Sequence, residues 1–202
     1  MDFKSSVQAI YYITTKRHKS LDHWTVLKLI FFADRYHLRK YGRTVTDDNY
    51  FAMQKGPVPS TVYDIIKGAI ETNERSYVNK FLQYKNKNKN ITFTKKGLTT
   101  DSLSETDVEA LDFALNTFDF GYPGDISNIS HIYPEWNKYE NGYDSNPFAR
   151  YPMNINDFFL DPDQTGIDSI PVLSKGKLNN DPFDVISKEI VSSSKDIYQG
   201  LL

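Results

Sequence analysis

The chain of 202 residues contains no cysteine, which excludes disulfide bonds, thiolate nucleophiles and cysteine-ligated zinc sites. It also lacks long apolar runs. The longest strongly apolar stretch, Leu29–Ala33, is far shorter than the roughly 20 residues that a membrane-spanning helix needs. The amino terminus has no apolar signal-peptide core. These absences predict a soluble, cytoplasmic protein that makes no membrane contact.

Recognisable catalytic and cofactor motifs are missing as well. The histidines at positions 18, 23, 37 and 131 show no spacing of metal-ligand type. The chain has no GxSxG elbow, Walker loop or GxGxxG turn. The sequence therefore predicts no enzyme activity, no catalytic residue, no metal site and no cofactor. An enzyme that uses Asp34 and His37 is the weakest of three functional hypotheses.

An excess of positive charge is absent too, because the net charge is −2, whereas a general nucleic-acid binder is usually strongly basic. One segment is nevertheless basic, and no acidic residue interrupts it: its lysines are Lys80, Lys85, Lys87, Lys89, Lys95 and Lys96. A winged-helix regulator that binds DNA through this 80–96 hairpin is therefore the alternative functional hypothesis. The ordinary interpretation is a solvated hairpin tip whose lysines discourage aggregation.

Helical periodicity dominates the first 150 residues. Apolar spacing predicts a first helix from Phe3, and a central helix that begins near Asp22 and stops at Gly42. Further helices are predicted from about Thr61 to Ala69, after Ser104 and from Asp125. The run Gly56–Ser60 is incompatible with a helix or a central strand, because its two prolines remove two backbone donors.

These patterns predict an α+β fold, predominantly α-helical, with a small antiparallel sheet built from the Tyr50 segment and the 81–94 hairpin. Residues 1–150 are predicted to form one helical domain. Residues 151–202 are predicted to be an acidic C-terminal extension, with eight acidic residues against four lysines, that ends in a helix between Pro182 and Tyr198. Its apolar residues indicate that it orders against its own core or against a partner.

Asp34 interrupts the apolar stripe of the central helix, where it follows Leu27 and Ile30 and precedes Leu38. A carboxylate beside the core must be paired or accept backbone donors, because an isolated buried charge is very costly. We interpret Asp34 as a structural anchor for the loop at 54–56. The alternative is an interaction residue or an active-site acid.

Two blocks of sequence carry a family resemblance. The first is Lys28–Arg43, KLIFFADRYHLRKYGR, and the second is Tyr50–Ser60, YFAMQKGPVPS. A weaker third block combines Leu103–Glu105, Ser130–His131 and Pro134–Trp136, where many relatives have an uninterrupted Pro-Trp. Together these blocks resemble the Panacea-domain family of SocA-like antitoxins.

The resemblance covers about residues 1–145 and implies a mostly helical antitoxin of a phage-associated toxin–antitoxin system. Such a protein neutralises a co-encoded toxin by direct protein–protein binding, in some cases as an adaptor or chaperone with a protease or chaperone as second partner. DNA is not an expected partner. The resemblance carries over neither a toxin's identity nor an oligomeric state.

Two sets of site residues follow from these considerations. The predicted structural signature is Asp34, Arg35, Gly56, Pro57, Pro59 and Trp136. The predicted partner-binding residues are Tyr36, Arg39, Tyr50, Lys55, Phe158 and Phe159.

Overall fold

A computed structural model describes residues 2–17, 20–85, 90–118, 123–162 and 186–201. Across these ranges helices predominate and strands are short, which confirms the predicted, mostly helical α+β class. None of the helices in these ranges is long and apolar enough to cross a membrane. The predicted hairpin tip at 86–89 and residues 163–185 of the extension lie outside the described residues.

The described elements follow one another as α1 (Phe3–Arg17), β1 (Leu21–Asp22), α2 (His23–Tyr41), β2 (Tyr50–Met53), β3 (Gly56–Pro59), α3 (Ser60–Lys67), α4 (Thr72–Phe81), β4 (Leu82–Lys85), β5 (Asn90–Phe93), α5 (Glu105–Phe118), α6 (Pro123–His131), α7 (Pro134–Asn137), α8 (Gly142–Ser145), β6 (Tyr151–Pro152), a 3-10 helix (Ile155–Phe159) and α9 (Lys188–Gly200). The sequence patterns do not predict α4, because only Val78 and Phe81 of that helix are buried and no apolar stripe marks it.

Local capping signals set both ends of α2 and the start of α5. The Asp22 side chain accepts a hydrogen bond from the Trp24 N–H at 2.8 Å and starts α2. Gly42, at φ 75°, ends α2 and donates its N–H to the Leu38 carbonyl. Before α5, the Ser104 N–H donates to Asp107 Oδ2 at 2.8 Å, and the Asp107 N–H donates to Ser104 Oγ at 3.2 Å. These contacts confirm the predicted ends of α2 and the predicted start of α5.

The strands form two separate antiparallel sheets, so the prediction of one sheet is wrong. One sheet has the order β1-β5-β4 and the other the order β3-β2-β6. The Tyr50 strand finds its partners locally, because a two-residue turn returns the chain as β3, and β6 covers the opposite side. The prolines of β3 are tolerated because β3 is an edge strand.

The core surrounds α2, whose side chains are buried along most of its length. The Phe31 ring lies 5.9 Å from Tyr50 and 5.5 Å from Phe158, measured between ring centroids. The Phe32 ring stacks on Phe118 at 3.7 Å. Aromatic pairs of this kind contribute beyond the burial of their area. The many Phe and Tyr side chains of the sequence thus pack largely inside the domain.

The described parts of residues 151–202 pack against the helical body. Strand β6 pairs with β2, and Phe158 and Phe159 are buried in the main core. Helix α9 packs along α2. It begins at Lys188, with Ser187 as its N-cap. The first part of the predicted helix, residues 182–185, lies outside the described ranges. The division of the chain at residue 150 stays a prediction.

Candidate partner-binding surface

Asp34 holds the segment between α2 and β2. Its fully buried carboxylate accepts hydrogen bonds from the Val45 N–H at 2.8 Å, the Thr46 N–H at 3.0 Å and the Tyr50 hydroxyl at 2.7 Å. The Thr46 hydroxyl donates to Oδ2, which also accepts from Tyr50, whereas both N–H groups donate to Oδ1. Burial raises the pKa of Asp34 to about 7, against the lowering effect of these donors. Asp34 is therefore an internal anchor.

The loop that Asp34 anchors is not the predicted one at 54–56. That loop is held by Lys28, whose Nζ donates to the Pro57 carbonyl at 2.6 Å. Lys28 and Asp34 lie six residues apart on α2, about 9 Å along the helix axis, so they serve different loops. Lys28 is fully buried, and burial lowers its pKa well below the usual range for lysine. The sequence gives no signal of this role, because lysine is ordinarily a surface residue.

Gly56 packs against Lys28 and α6, where there is no room for a side chain. Its φ of 102° lies in the region that favours glycine. A Cβ atom would lie 2.8 Å from Lys28 Cε and 2.9 Å from its Nζ, and would collide with Ser130 Oγ. Gly56 is thus required both by its backbone conformation and by the close approach of two side chains.

We expect Gly56→Ala to lower the free energy of unfolding by about 3 kcal/mol, the sum of a left-handed backbone penalty and overpacking. Gly97→Ala is the matched control, because Gly97 has a φ of 77° and nothing within 4 Å of its Cβ position. The control should cost only the backbone penalty, about 1–2 kcal/mol. Urea unfolding measures both, and equal losses would show that contacts with Lys28 and Ser130 are unimportant.

Arg35 forms a buried ion pair with a residue one hundred positions away. Its Nε donates to Glu135 Oε1 at 2.8 Å, and its guanidinium lies 4.5 Å above the Tyr133 ring centroid. Glu135 is fully buried, and burial raises its pKa despite the nearby arginine. Glu135, which separates Pro134 from Trp136 and so interrupts the Pro-Trp pattern, is therefore the ion-pair partner of Arg35.

Arg35 and Arg39 also hold the segment Phe158–Asp161 against α2 by hydrogen bonds. Arg35 Nη2 donates to the Leu160 carbonyl at 2.5 Å. Arg39 Nη1 donates to the Phe158 carbonyl at 3.2 Å, and Arg39 Nη2 pairs with Asp161 Oδ1 at 2.5 Å. Arginine suits this position because its planar fork can serve several acceptors at once.

Trp136 ties the β2–β3 turn to α6 and α7. Its Nε1–H donates to the Met53 carbonyl at 2.8 Å, and its ring stacks on His131 at 3.6 Å. Burial lowers the pKa of His131 to about 4. Pro57 and Pro59, the remaining signature residues, lie in the edge strand β3. All six signature residues thus belong to the internal framework.

Among the described residues, Asp34 and His37 share no hydrogen-bond partner. His37 Nδ1 contacts the Arg43 carbonyl at 2.7 Å, and its Nε2 lies 2.9 Å from Thr106 Oγ1. Burial lowers the pKa of His37. Within the described residues, no group of three or more metal-ligating side chains comes together.

Most of the predicted partner-binding residues lie inside the protein. The buried members are Tyr36, Arg39, Tyr50, Phe158 and Phe159. Tyr36 also donates its hydroxyl hydrogen to Glu109 Oε1 at 2.6 Å. Their role in partner binding stays a prediction, and the buried rings could contact a partner only by leaving the core.

Lys55 is the member of that set that is exposed, at the β2–β3 turn, with its Nζ 5.2 Å from the Trp24 ring centroid. Among the described residues, six large apolar side chains are also exposed: Phe148 at 92%, Leu201 at 74%, Ile197 at 52%, Leu160 at 49%, Ile190 at 44% and Tyr84 at 41%. Helix α9 carries two of them, and Leu201 follows it directly. Exposed apolar groups concentrated on one element are typical of a docking surface.

A cleft of about 900 Å³ opens beside α9, between the segments 42–49 and 101–104. Its walls include Asp2, Asp47, Asp48, Asp101 and Asp107. Several of these carboxylates are already used within the fold: Asp2 accepts the Ser5 N–H at 3.1 Å, and Asp48 accepts the Val62 N–H at 3.0 Å. The acidic walls therefore follow in part from helix capping.

The family model of the antitoxin SocA-like Panacea domain matches residues 26–137. Searches of curated proteins and of solved structures return no match to the chain. The matched range contains the buried contacts of Lys28, Asp34, Gly56 and Trp136, together with the Arg35–Glu135 ion pair. It ends before the segment 158–161 and before α9.

Proposed function

The chain belongs to the Panacea-domain family of SocA-like antitoxins, and we propose that it neutralises a protein toxin by binding it directly. The observation that carries this proposal is the family match, which extends over more than half of the chain. The signature residues within that match are internal, so they support the shape of the domain and leave the surface to select the partner.

The exposed apolar side chains of and beside α9 support a binding role. Binding of a partner would remove this apolar surface from water, and that removal favours association. The framework beneath this surface is fixed by buried hydrogen bonds and by the Arg35–Glu135 ion pair. A surface held by such a framework loses little conformational entropy on binding, which favours affinity.

The finer parts of the hypothesis stay predictions. They are the phage association, the cytoplasmic location, and an adaptor or chaperone role with a protease or chaperone as second partner. The alternative of DNA binding stays a prediction as well. Strands β4 and β5 of the basic hairpin are present, and its tip lies outside the described residues.

Co-expression with the product of the adjacent open reading frame tests the proposal. We expect that product alone to arrest growth and this chain to restore it. Gly97→Ala should restore growth as the wild type does, because it leaves the framework contacts intact. Growth arrest that persists at full expression of the folded wild-type chain would contradict the proposed function.

A further inference from the structure

A small pocket with a positive lining lies where α9 meets the segment 159–161 and the second half of α2. Its volume is about 220 Å³. This is below the about 300 Å³ at which pockets for drug-sized ligands begin, so it accommodates one or two side chains. Its apolar lining comes from Phe159, Leu160, Ile186 and Val191.

Three cations and one carboxylate line the pocket: Arg39, Lys188, Lys195 and Asp161. Arg39 is only 5% exposed and is fixed by its hydrogen bonds to the segment 158–161. Lys188 and Lys195 are seven residues apart on α9, so they lie on the same helix face. The side chain of Asp161 offsets one of the three positive charges, and the pocket keeps an excess of positive charge.

Of the described acidic residues, Glu189 follows Lys188 in the chain and interacts electrostatically with it. Among the residues that the structure describes, neither Lys188 nor Lys195 forms an ion pair or a hydrogen bond through its side chain. The acidic residues of α9, Glu189 and Asp196, do not line the pocket. The amino-terminal end of α9 adds the positive end of a helix dipole beside Lys188.

We propose that this pocket receives an acidic side chain of the toxin, a Glu or Asp with an apolar neighbour, and that it contributes to the choice of partner. The positive lining complements a carboxylate, and the exposed Leu160 at the rim provides an apolar contact. The inference rests on the proposed antitoxin function. It also accords with the limits of the family match, because the pocket is built mainly from elements after residue 137.

The test compares two double variants with equal net charge. Lys188→Gln/Lys195→Gln removes the two lysine cations of the pocket, and Lys4→Gln/Lys96→Gln removes two exposed lysines elsewhere. Isothermal calorimetry with the purified product of the adjacent open reading frame measures each affinity. We expect the pocket variant to bind about 10-fold to 100-fold more weakly than the control variant, as truncation of a partly desolvated interfacial charge does. Thermal melts should match for both.

A charge reversal gives an independent readout. Lys188→Glu/Lys195→Glu should abolish growth rescue, and one Glu→Lys or Asp→Lys substitution in the toxin should restore it. Equal affinities of the two glutamine variants would overturn the pocket assignment while leaving the antitoxin function intact. A wild-type protein that does not bind the toxin would instead contradict the proposed function, and the pocket assignment with it.

Discussion

Asp34→Ala should lower the free energy of unfolding by about 3–5 kcal/mol, because it removes the acceptor for four buried donors at once. Each unsatisfied buried donor costs about 1–3 kcal/mol, reduced where water can enter. The donors are the N–H groups of Val45 and Thr46 and the hydroxyls of Thr46 and Tyr50. Urea unfolding followed by circular dichroism measures the loss.

Asp34→Asn is the matched control and should cost no more than about 1 kcal/mol. The asparagine oxygen can accept both backbone N–H groups. Its amide can donate to the hydroxyls of Thr46 and Tyr50, since a hydroxyl both donates and accepts. A loss below 1 kcal/mol for Asp34→Ala would show that the carboxylate is not the anchor that its contacts indicate.

The difference in stability between the wild type and Asp34→Asn should also depend on pH. The pKa of Asp34 is raised to about 7 in the folded protein, while an unfolded aspartate titrates near its ordinary value of 3.8. The folded state therefore retains a proton that the unfolded state has lost between about pH 4 and 7, and the stability from this group declines as pH rises through that window. Relative to Asp34→Asn, the wild type should lose stability from pH 4 to 8. A constant difference would contradict the raised pKa.

The second large effect is expected at the buried ion pair. Glu135→Ala or Arg35→Ala should each cost about 3–5 kcal/mol, because each leaves an uncompensated charge in the core. Arg35→Ala also removes a donor from the Leu160 carbonyl. Chemical unfolding of the two single variants measures these costs.

The double variant Arg35→Met/Glu135→Met separates charge from packing. Apolar residues of similar volume often replace a buried ion pair without loss, so the double variant should be more stable than either alanine variant. A double variant less stable than both alanine variants would show that the lost charge pairing does not cause the single-variant losses, against the 2.8 Å contact between the two residues.

Local features of the fold could be predicted from sequence. The boundaries of α2 were predictable because Asp22 and Gly42 act through contacts within one helical turn. The burial of Asp34 followed from its place in an apolar stripe, and the 81–94 hairpin was predicted with a solvated, basic tip. Each of these signals lies within a few residues of its effect.

Features that depend on distant partners could not be predicted. The Arg35–Glu135 ion pair joins residues one hundred positions apart, and periodicity carries no information about it. Lys28 gave no sign of burial because its acceptor is a backbone carbonyl 29 residues away. Strand β2 pairs with β6 and not with the 81–94 hairpin, and this pairing likewise depends on how the whole chain packs.

We propose that this domain binds a toxin through its surface while the signature residues maintain the framework. Calorimetric titration of the purified product of the adjacent open reading frame tests it most directly, with wild type, Asp34→Asn and Asp34→Ala at a temperature where all three are folded. We expect a saturable complex with wild type, and an affinity for Asp34→Asn within about threefold of it, since Asp34 has no exposed surface. Folded wild-type protein that shows no binding would contradict the proposed toxin binding.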